Sequence, residues 1–377
     1  MMRVEPWNQT LRARMAMLRP GTHRVAYFAP KPDAASFRYR CYNTSSALNT
    51  FESDVSASYF FLSDLDQLPN LSDYADTLVV FRTPYDTDVD RVISSFSRAG
   101  KTVFFDIDDL VFDVRYAPLV TSNLNYKLWG KDIDQWFAFI ANIGATLKLC
   151  DHVVTTNAFI ADRVTDFSGL PVSVIPNSYN ALQKERSDTL RVTRVHSDGE
   201  GLKLGYFSGS HSHTKDFAIA VPGIAQFLRQ SPHSTLTILG HLEVPEALGD
   251  VGQRIIRKPF MNFLDLQNAT SEVDVALSPL QSGPFTSSKS ELKFFESALV
   301  GTLTLASPTP VFTQSITHGE NGFLAGASQW FDVLTSIEET RAVHKTLLTD
   351  RARQLAQSRF SPEAIAPQLR SLFVGRN

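Results

Sequence analysis

Short apolar runs alternate along the chain with longer stretches in which apolar residues recur every three or four positions. In the first half the short runs are Arg24–Ala29, Val55–Leu62, Thr77–Arg82, Thr102–Ile107, His152–Thr156 and Val172–Pro176. Helical periodicity fills most of the gaps, as over Asp86–Arg98 and Ala158–Phe167. Continuous runs of this length, rich in Val and Phe and separated by helices, predict strands buried on both faces, which is the signature of a parallel sheet covered by helices. A longer helical stretch, Leu124–Leu149, interrupts the alternation and carries Trp129, Trp136, Phe137 and Phe139, which are expected to pack in the core.

The pattern breaks over Asn180–Gly201, a polar and charged segment with Lys184, Glu185, Arg186, Asp188, Arg191 and Arg194, which reads as a connection between domains. It then restarts through Leu202–Phe207, Thr235–Leu239, Arg254–Arg257, Val273–Leu277, Leu303–Ala306 and Gly322–Leu324, and the tail from Trp330 to Phe373 reads as two or three helices. The expected fold is therefore α/β, with two Rossmann-like, doubly wound parallel-sheet domains whose strand ends share a central cleft. The expected divisions are an extension over 1–23, a first domain over 24–180, a linker over 181–201, a second domain over 202–355 and a helical tail over 356–377. Ligands of such sheets bind at the carboxyl ends of the strands, so the segments just after strands are where functional residues are sought.

Bulk properties narrow the classes. A chain of 377 residues is long enough for two cores, and 43% hydrophobic with 20% charged residues is a globular composition. A net charge of −3 does not favour nucleic acid as a partner. Two cysteines, Cys41 and Cys150, are too few for a disulfide scaffold and fit a reducing compartment. No run approaches the roughly 18–20 apolar residues that a membrane helix needs. At the N-terminus Leu11, Met15 and Leu18 are interrupted by Arg12, Arg14 and Arg19. That leaves a loose extension as the first reading and a short basic helix touching anionic lipid as the second, so a cytoplasmic protein is expected, with peripheral contact at the inner membrane face as the alternative.

The densest chemistry lies in the second half. The run VDVALSPL (273–280) reads as a buried strand ending in a polar turn, followed by GPFTSSKSELKFFESALVG (283–301), LTLAS (303–307) and NGFLA (321–325). Ser287 and Ser288 are expected to cap the next helix. At about 100° per residue, Lys289, Lys293 and Glu296 then fall on one face, within about 40° of the first. A helix N-terminus suits a pyrophosphate, and a glutamate two turns in can accept hydrogen bonds from a ribose diol.

These motifs resemble the donor site of retaining GT-B glycosyltransferases, the large family 4 and its relatives. That signature has two glutamates separated by seven residues, a small-residue turn, a strand and a loop ending in Asn-Gly. Glu296 matches the second glutamate, which the resemblance implies holds the donor ribose, whereas Ser288 stands where the first would be and Glu291 is out of register. CDHVVTTNAFIADRV with PVSVIPNSYN (150–180) resembles the end of the family's N-terminal domain. LGYFSGSHSHTKDF (204–217) resembles the opening strand and loop of its donor domain. Relatives carry an arginine in that loop; here Gly209, Ser210, His211, His213 and Lys215 are what it offers to a phosphate. RYRCYN (38–43) and FFDIDDLVF (104–112) look like a subgroup that acts in bacterial cell-surface polysaccharide assembly.

Expected donor-nucleotide contacts are thus Glu296, Lys293, Lys289, Ser288, Gly209, Ser210, His211 and Lys215. Arg38 and Arg40 are candidates for an acceptor or phosphate contact. Asp108 and Asp109, with Asp106 beside them at a strand end, are candidates to position an acceptor hydroxyl or take its proton. Each has a structural alternative: Glu296 paired with Lys293 three residues away, Asp109 capping a turn, the arginines lying on a helix surface. The Asp spacing also resembles the metal-binding carboxylates of GT-A enzymes. GT-B enzymes use helix dipoles and basic side chains instead, so no metal and no cofactor beyond the nucleotide-sugar substrate is expected. The implied activity is transfer of a sugar from a nucleoside diphosphate sugar to a hydroxyl of a glycan, lipid-linked or protein acceptor, with retention. The alternatives are a sugar-nucleotide epimerase or phosphorylase on the same scaffold, and a non-catalytic domain that binds glycan or a partner.

Overall fold

The structure is a computed structural model that describes residues 5–124, 128–193, 201–209 and 214–375, with backbone alone over 341–345. The chain forms two compact units. One comprises Met1–Thr121, Leu128–Asn180 and Phe360–Asn377, the other Ser122–Lys127 and Ala181–Arg359.

The first unit is built on β1 (His23–Ala29), β2 (Val55–Phe61), β3 (Thr77–Phe81), β4 (Val103–Ile107), β5 (His152–Thr155) and β6 (Val172–Val174). They form one sheet in the order β2-β1-β3-β4-β5-β6, with every pairing parallel. Every residue of β2, β3, β4 and β5 is buried, the burial on both faces that unbroken apolar runs predict. The helix Thr87–Arg98 shows how local sequence sets the cover. Asp86 accepts hydrogen bonds from the Asp88 and Val89 amides and starts it, Val89, Val92, Ile93 and Phe96 form its buried stripe, and Gly100, at a positive φ of 67°, stands just past its end.

The second unit repeats the plan with β7 (Lys203–Ser208), β8 (Thr235–Gly240), β9 (Ile255–Lys258), β10 (Val275–Ser278), β11 (Leu303–Ala306) and β12 (Phe323–Leu324), in the order β12-β11-β10-β7-β8-β9. Its core gathers Leu204, Tyr206, Phe217, Ile224, Leu236, Ile238, Val275, Leu305 and Trp330. All twelve runs read as strands from the sequence are strands.

One local expectation is corrected and three segments are described in more detail. Trp129 is 70% exposed, and Phe137 and Phe139 are exposed too, so these aromatics do not fill a core. The helix there is Lys131–Leu147, and it meets the unit only in its second half, through Ile140, Ile143, Gly144 and Leu147. A Cβ at Gly144 would stand 2.2 Å from the Phe112 carbonyl oxygen, which shows how closely that half is seated. The basic N-terminal helix is Leu11–Ala16, and its Arg14 turns inward to make a bidentate pair with Asp64 at 2.6 and 2.7 Å. Arg19 donates to the carbonyls of Glu52 and Val55, so of the three arginines only Arg12 is exposed. The first part of the expected connection is a helix, Ala181–Thr193, with Gln183 and Ser187 buried and Arg191 paired with Asp350 in the second unit. Residues 194–200 of that connection lie outside the described residues. Finally, the tail is the helix Trp330–Phe360 followed, after the Ser361 cap, by Pro362–Val374. The latter packs in the first unit, Phe373 standing edge-on to Tyr27 and Phe104, and Arg370 forking onto Asp54. Among the described residues no helix is long and apolar enough to cross a membrane.

Candidate functional site

In a doubly wound sheet, the crevice for a ligand opens where neighbouring strands send their connections to opposite sides. In the second unit that place is between β7 and β10, because β8 and β9 lie on one side of β7 and β10 to β12 on the other. Two segments meet there. The Asp216 carboxylate, fully buried in the first turn of the helix Thr214–Gln230, accepts from the Gln281 backbone amide (3.0 Å) and from its side-chain amide (3.3 Å). The turn after β10 is thereby tied to the helix that follows β7. Gly240 closes the neighbouring strand end, with a positive φ of 96° and the Ser208 carbonyl oxygen only 2.0 Å from where a Cβ would stand.

The helix Leu292–Leu299 brings Lys293 beside Tyr206 of β7 and near Asp216, with Glu296 three residues on. The Lys293 ammonium lies 4.9 Å from the centre of the Tyr206 ring. Burial pushes its pKa down to about 8, against the opposing pull of Asp216 and Glu296. Glu296 accepts from the Gln183 side-chain amide at 3.1 Å, and the Gln183 carbonyl accepts from Gln267 at 3.0 Å. The Gln183 side-chain amide, on a helix 113 residues upstream, therefore orients the carboxylate.

The expected helix cap is different. Pro284 starts a separate turn, Pro284–Ser287, and Ser288 closes it, its hydroxyl donating to the Phe285 carbonyl. Neither Ser287 nor Ser288 caps the next helix, which begins at Leu292 after Glu291. Ser288 is fully buried. Lys289 consequently lies before the helix, off the face shared by Lys293 and Glu296, with its ammonium 3.9 Å from the Phe285 ring centre. Gly209 is exposed, and a Cβ there would meet open space. Lys215 is exposed and donates to the Ser122 carbonyl at 2.6 Å. Ser210, His211 and His213 lie outside the described residues.

In the first unit the corresponding crevice is between β1 and β3. Asp106, expected at the open strand end, is instead buried beneath it. It makes a bidentate pair with Arg40 at 2.8 and 2.9 Å, and Arg40 also donates to the Ile175 carbonyl (2.8 Å) and to Asn177 (3.2 Å). Arg40 is 1% exposed, and its guanidinium knits the unit together. The residues Arg38–Asn43 form a π-helical turn, which rotates Arg40 inward. Arg38 is buried as well, donating to the Ala34 carbonyl and the Tyr39 hydroxyl and lying over the Tyr39 ring.

Asp108 and Asp109 follow β4. Asp109 accepts from the Leu110 amide at 2.9 Å. Asp108 accepts from Arg82 at 3.1 Å. Arg82 follows β3 and has a φ of 43°, a left-handed value that costs a residue with a Cβ about 1 kcal/mol or more. Asp33, after β1, accepts from the Ala35 and Phe37 amides, yet burial raises its pKa, with the Asp108 charge adding to the rise and Arg82 opposing it. Among the described residues no group of three or more His, Cys, Asp or Glu could hold a metal ion. Arg82, Asp33, Asp216, Gln183 and Gln281 escaped the sequence reading. The one signal available was their position just after strands or in a first helical turn.

No family model matches the chain, and no curated protein sequence does. Solved structures match it in fold. HepE of Anabaena in complex with UDP superposes with a TM-score of 0.60 at 13% identity, over 93% of this chain and 100% of that one. Sucrose-phosphate synthase of Thermosynechococcus elongatus gives 0.60 at 15% identity, over 93% and 98%. A glycosyltransferase of Rickettsia africae gives 0.61 at 8% identity, over 93% and 98%. The two six-stranded parallel sheets are thus the GT-B fold of glycosyltransferases.

Proposed function

We propose that the chain is a glycosyltransferase that takes its sugar from a nucleoside diphosphate sugar held by the second unit. The observation that carries this reading is the convergence of Lys293, Glu296 and the first turn of the helix Thr214–Gln230 on the crevice between β7 and β10. A diphosphate there meets a cation and helix N–H groups, and Glu296 accepts from the ribose diol. UDP is the nucleotide to try first, since HepE is known in complexes with UDP and with UDP-glucose. In the reaction the bond from the anomeric carbon to the diphosphate oxygen breaks and a bond to the acceptor oxygen forms. The acceptor proton passes to the departing diphosphate. The main catalytic contribution is stabilisation of the departing diphosphate by fixed positive charge. Retention of configuration and a role in bacterial polysaccharide synthesis extend the same reading through the family 4 resemblance.

Two tests follow. Glu296→Gln removes the negative charge and one of the two oxygens that can accept from a ribose diol, and it also disturbs the Gln183 contact. UDP affinity measured by calorimetric titration should fall about tenfold or more, as expected for hydrogen bonds to a charged group, while melting stays close to that of the unaltered chain. Unchanged affinity would remove Glu296 from the site. The second concerns metal. With helix and lysine charge facing the diphosphate, UDP-sugar turnover should persist in EDTA. Loss of activity that manganese or magnesium restores would instead give the carboxylates Asp108 and Asp109 a metal.

A further inference from the structure

Among the described residues of the second unit, Phe260 is the one Phe, Tyr or Trp that is exposed, at 56%. Its ring stacks on the ring of His241, with centroids 5.5 Å apart and 25° between the planes. Strand register brings the two together. β8 and β9 run parallel with Leu239 beside Lys258, so two residues further on His241 stands beside Phe260, just past the carboxyl ends of both strands. Their frame is firm. The Gly240 backbone lies tight against the Ser208 carbonyl, Leu242 is buried, and Asn262 accepts from the Leu264 and Asp265 amides to start the helix Phe263–Ser271. An aromatic ring held this way, covered on one side and open to water on the other, has apolar surface left to bury.

The ring also stands beside the donor crevice. β8 is the neighbour of β7 and β9 the next strand out, so the pair lies about 5–10 Å, one to two strand spacings, from the β7 edge of the crevice. The helix Phe263–Ser271 packs against the helix Leu292–Leu299. Gln267 and Glu296, each the fifth residue of its helix, both bond to Gln183, so the two helices start level with each other at the strand ends. We infer that Phe260, backed by His241, is the platform on which the nucleobase of the donor stacks. This rests on the nucleoside diphosphate reading of the second unit, in which Glu296 takes the ribose and Lys293 the diphosphate. Every base has a π-face, so the platform adds affinity without choosing a base.

The test compares the unaltered chain with Phe260→Ala and Phe260→Trp, by calorimetric titration with UDP, GDP, ADP and TDP, by melting and by tryptophan fluorescence. Phe260→Ala should lose about fivefold or more in affinity for whichever of the four binds the unaltered chain. It should melt within about 3 °C of that chain, because an exposed ring contributes little to folding. Phe260→Trp should keep affinity within about twofold, since an indole offers the same stacking face. Its fluorescence should fall on nucleotide addition by more than that of the unaltered chain, and inorganic pyrophosphate, which has no base, should not quench it. Undiminished affinity in Phe260→Ala overturns the inference. So does a Phe260→Trp fluorescence that nucleotide leaves unchanged or that pyrophosphate quenches equally. A larger fall in melting assigns the ring to folding and overturns it too. If none of the four nucleotides binds the unaltered chain, the nucleoside diphosphate reading fails and the platform falls with it, an outcome read before any variant is compared.

Discussion

An Arg40→Met variant should lose about 3–5 kcal/mol of stability, which for a unit of this size lowers its melting temperature by on the order of 10 °C. The Arg40–Asp106 pair is bidentate and almost wholly shielded from water, and Arg40 further satisfies the Ile175 carbonyl and the Asn177 side chain. Removing the guanidinium strands a carboxylate beside the buried Tyr27 and Cys41. The large cost is that of the uncompensated charge, not the net worth of the pair. The double change Arg40→Met with Asp106→Leu should therefore recover most of the loss, and calorimetric melting of both singles and the double separates the two contributions. A single variant within about 1 kcal/mol of the unaltered chain would contradict the buried pairing.

Lys293→Met should act in opposite directions on binding and on stability. A charge-assisted contact to a diphosphate contributes about 1.5–3 kcal/mol, so UDP affinity should fall about 10- to 100-fold. Stability at pH 7 should rise. Burial lowers the folded-state pKa of Lys293 to about 8, below the ordinary lysine value. Below pH 8 the folded chain carries a buried ammonium and its penalty is full. The penalty fades as pH rises from about 8 toward the unfolded value, and methionine removes it. The same ionisation predicts the pH course of binding. The diphosphate of UDP is almost fully ionised from pH 7.5 upward, since its last ionisation lies at about 6. Affinity of the unaltered chain should then decline as pH rises from 7.5 to 9.5, while that of Lys293→Met stays flat. Titrations of both proteins across that range test this, and parallel pH courses would remove Lys293 from the nucleotide site.

The strands were legible because a parallel strand covered by helices is apolar on both faces. Runs such as Val103–Ile107 and Val275–Ser278 therefore stand out without any knowledge of their neighbours. The two crevices were not, because they follow from strand order. Nothing local marks β1 as the neighbour of β3, or β7 as the neighbour of β10. Glu296 was found from its motif, but its orienting partner Gln183 lies in a segment whose polarity reads as linker. Arg40 was misplaced because a π-helical turn adds a residue and rotates the side chain inward, a register change that composition does not carry. Arg82 closes an apolar run and its left-handed backbone has no sequence signal apart from glycine, which is absent there. The aromatics of the helix Lys131–Leu147 were misread for a related reason: hydrophobicity cannot tell which half of a helix reaches the sheet.

The central claim, a nucleoside diphosphate site in the second unit, is tested most directly by the melting of the unaltered chain with and without UDP. A ligand at a hundredfold its Kd stabilises by about 2.7 kcal/mol. The account predicts a saturable rise in Tm with UDP that is reduced in both Glu296→Gln and Lys293→Met. No rise with UDP, nor with GDP, ADP or TDP, would contradict it.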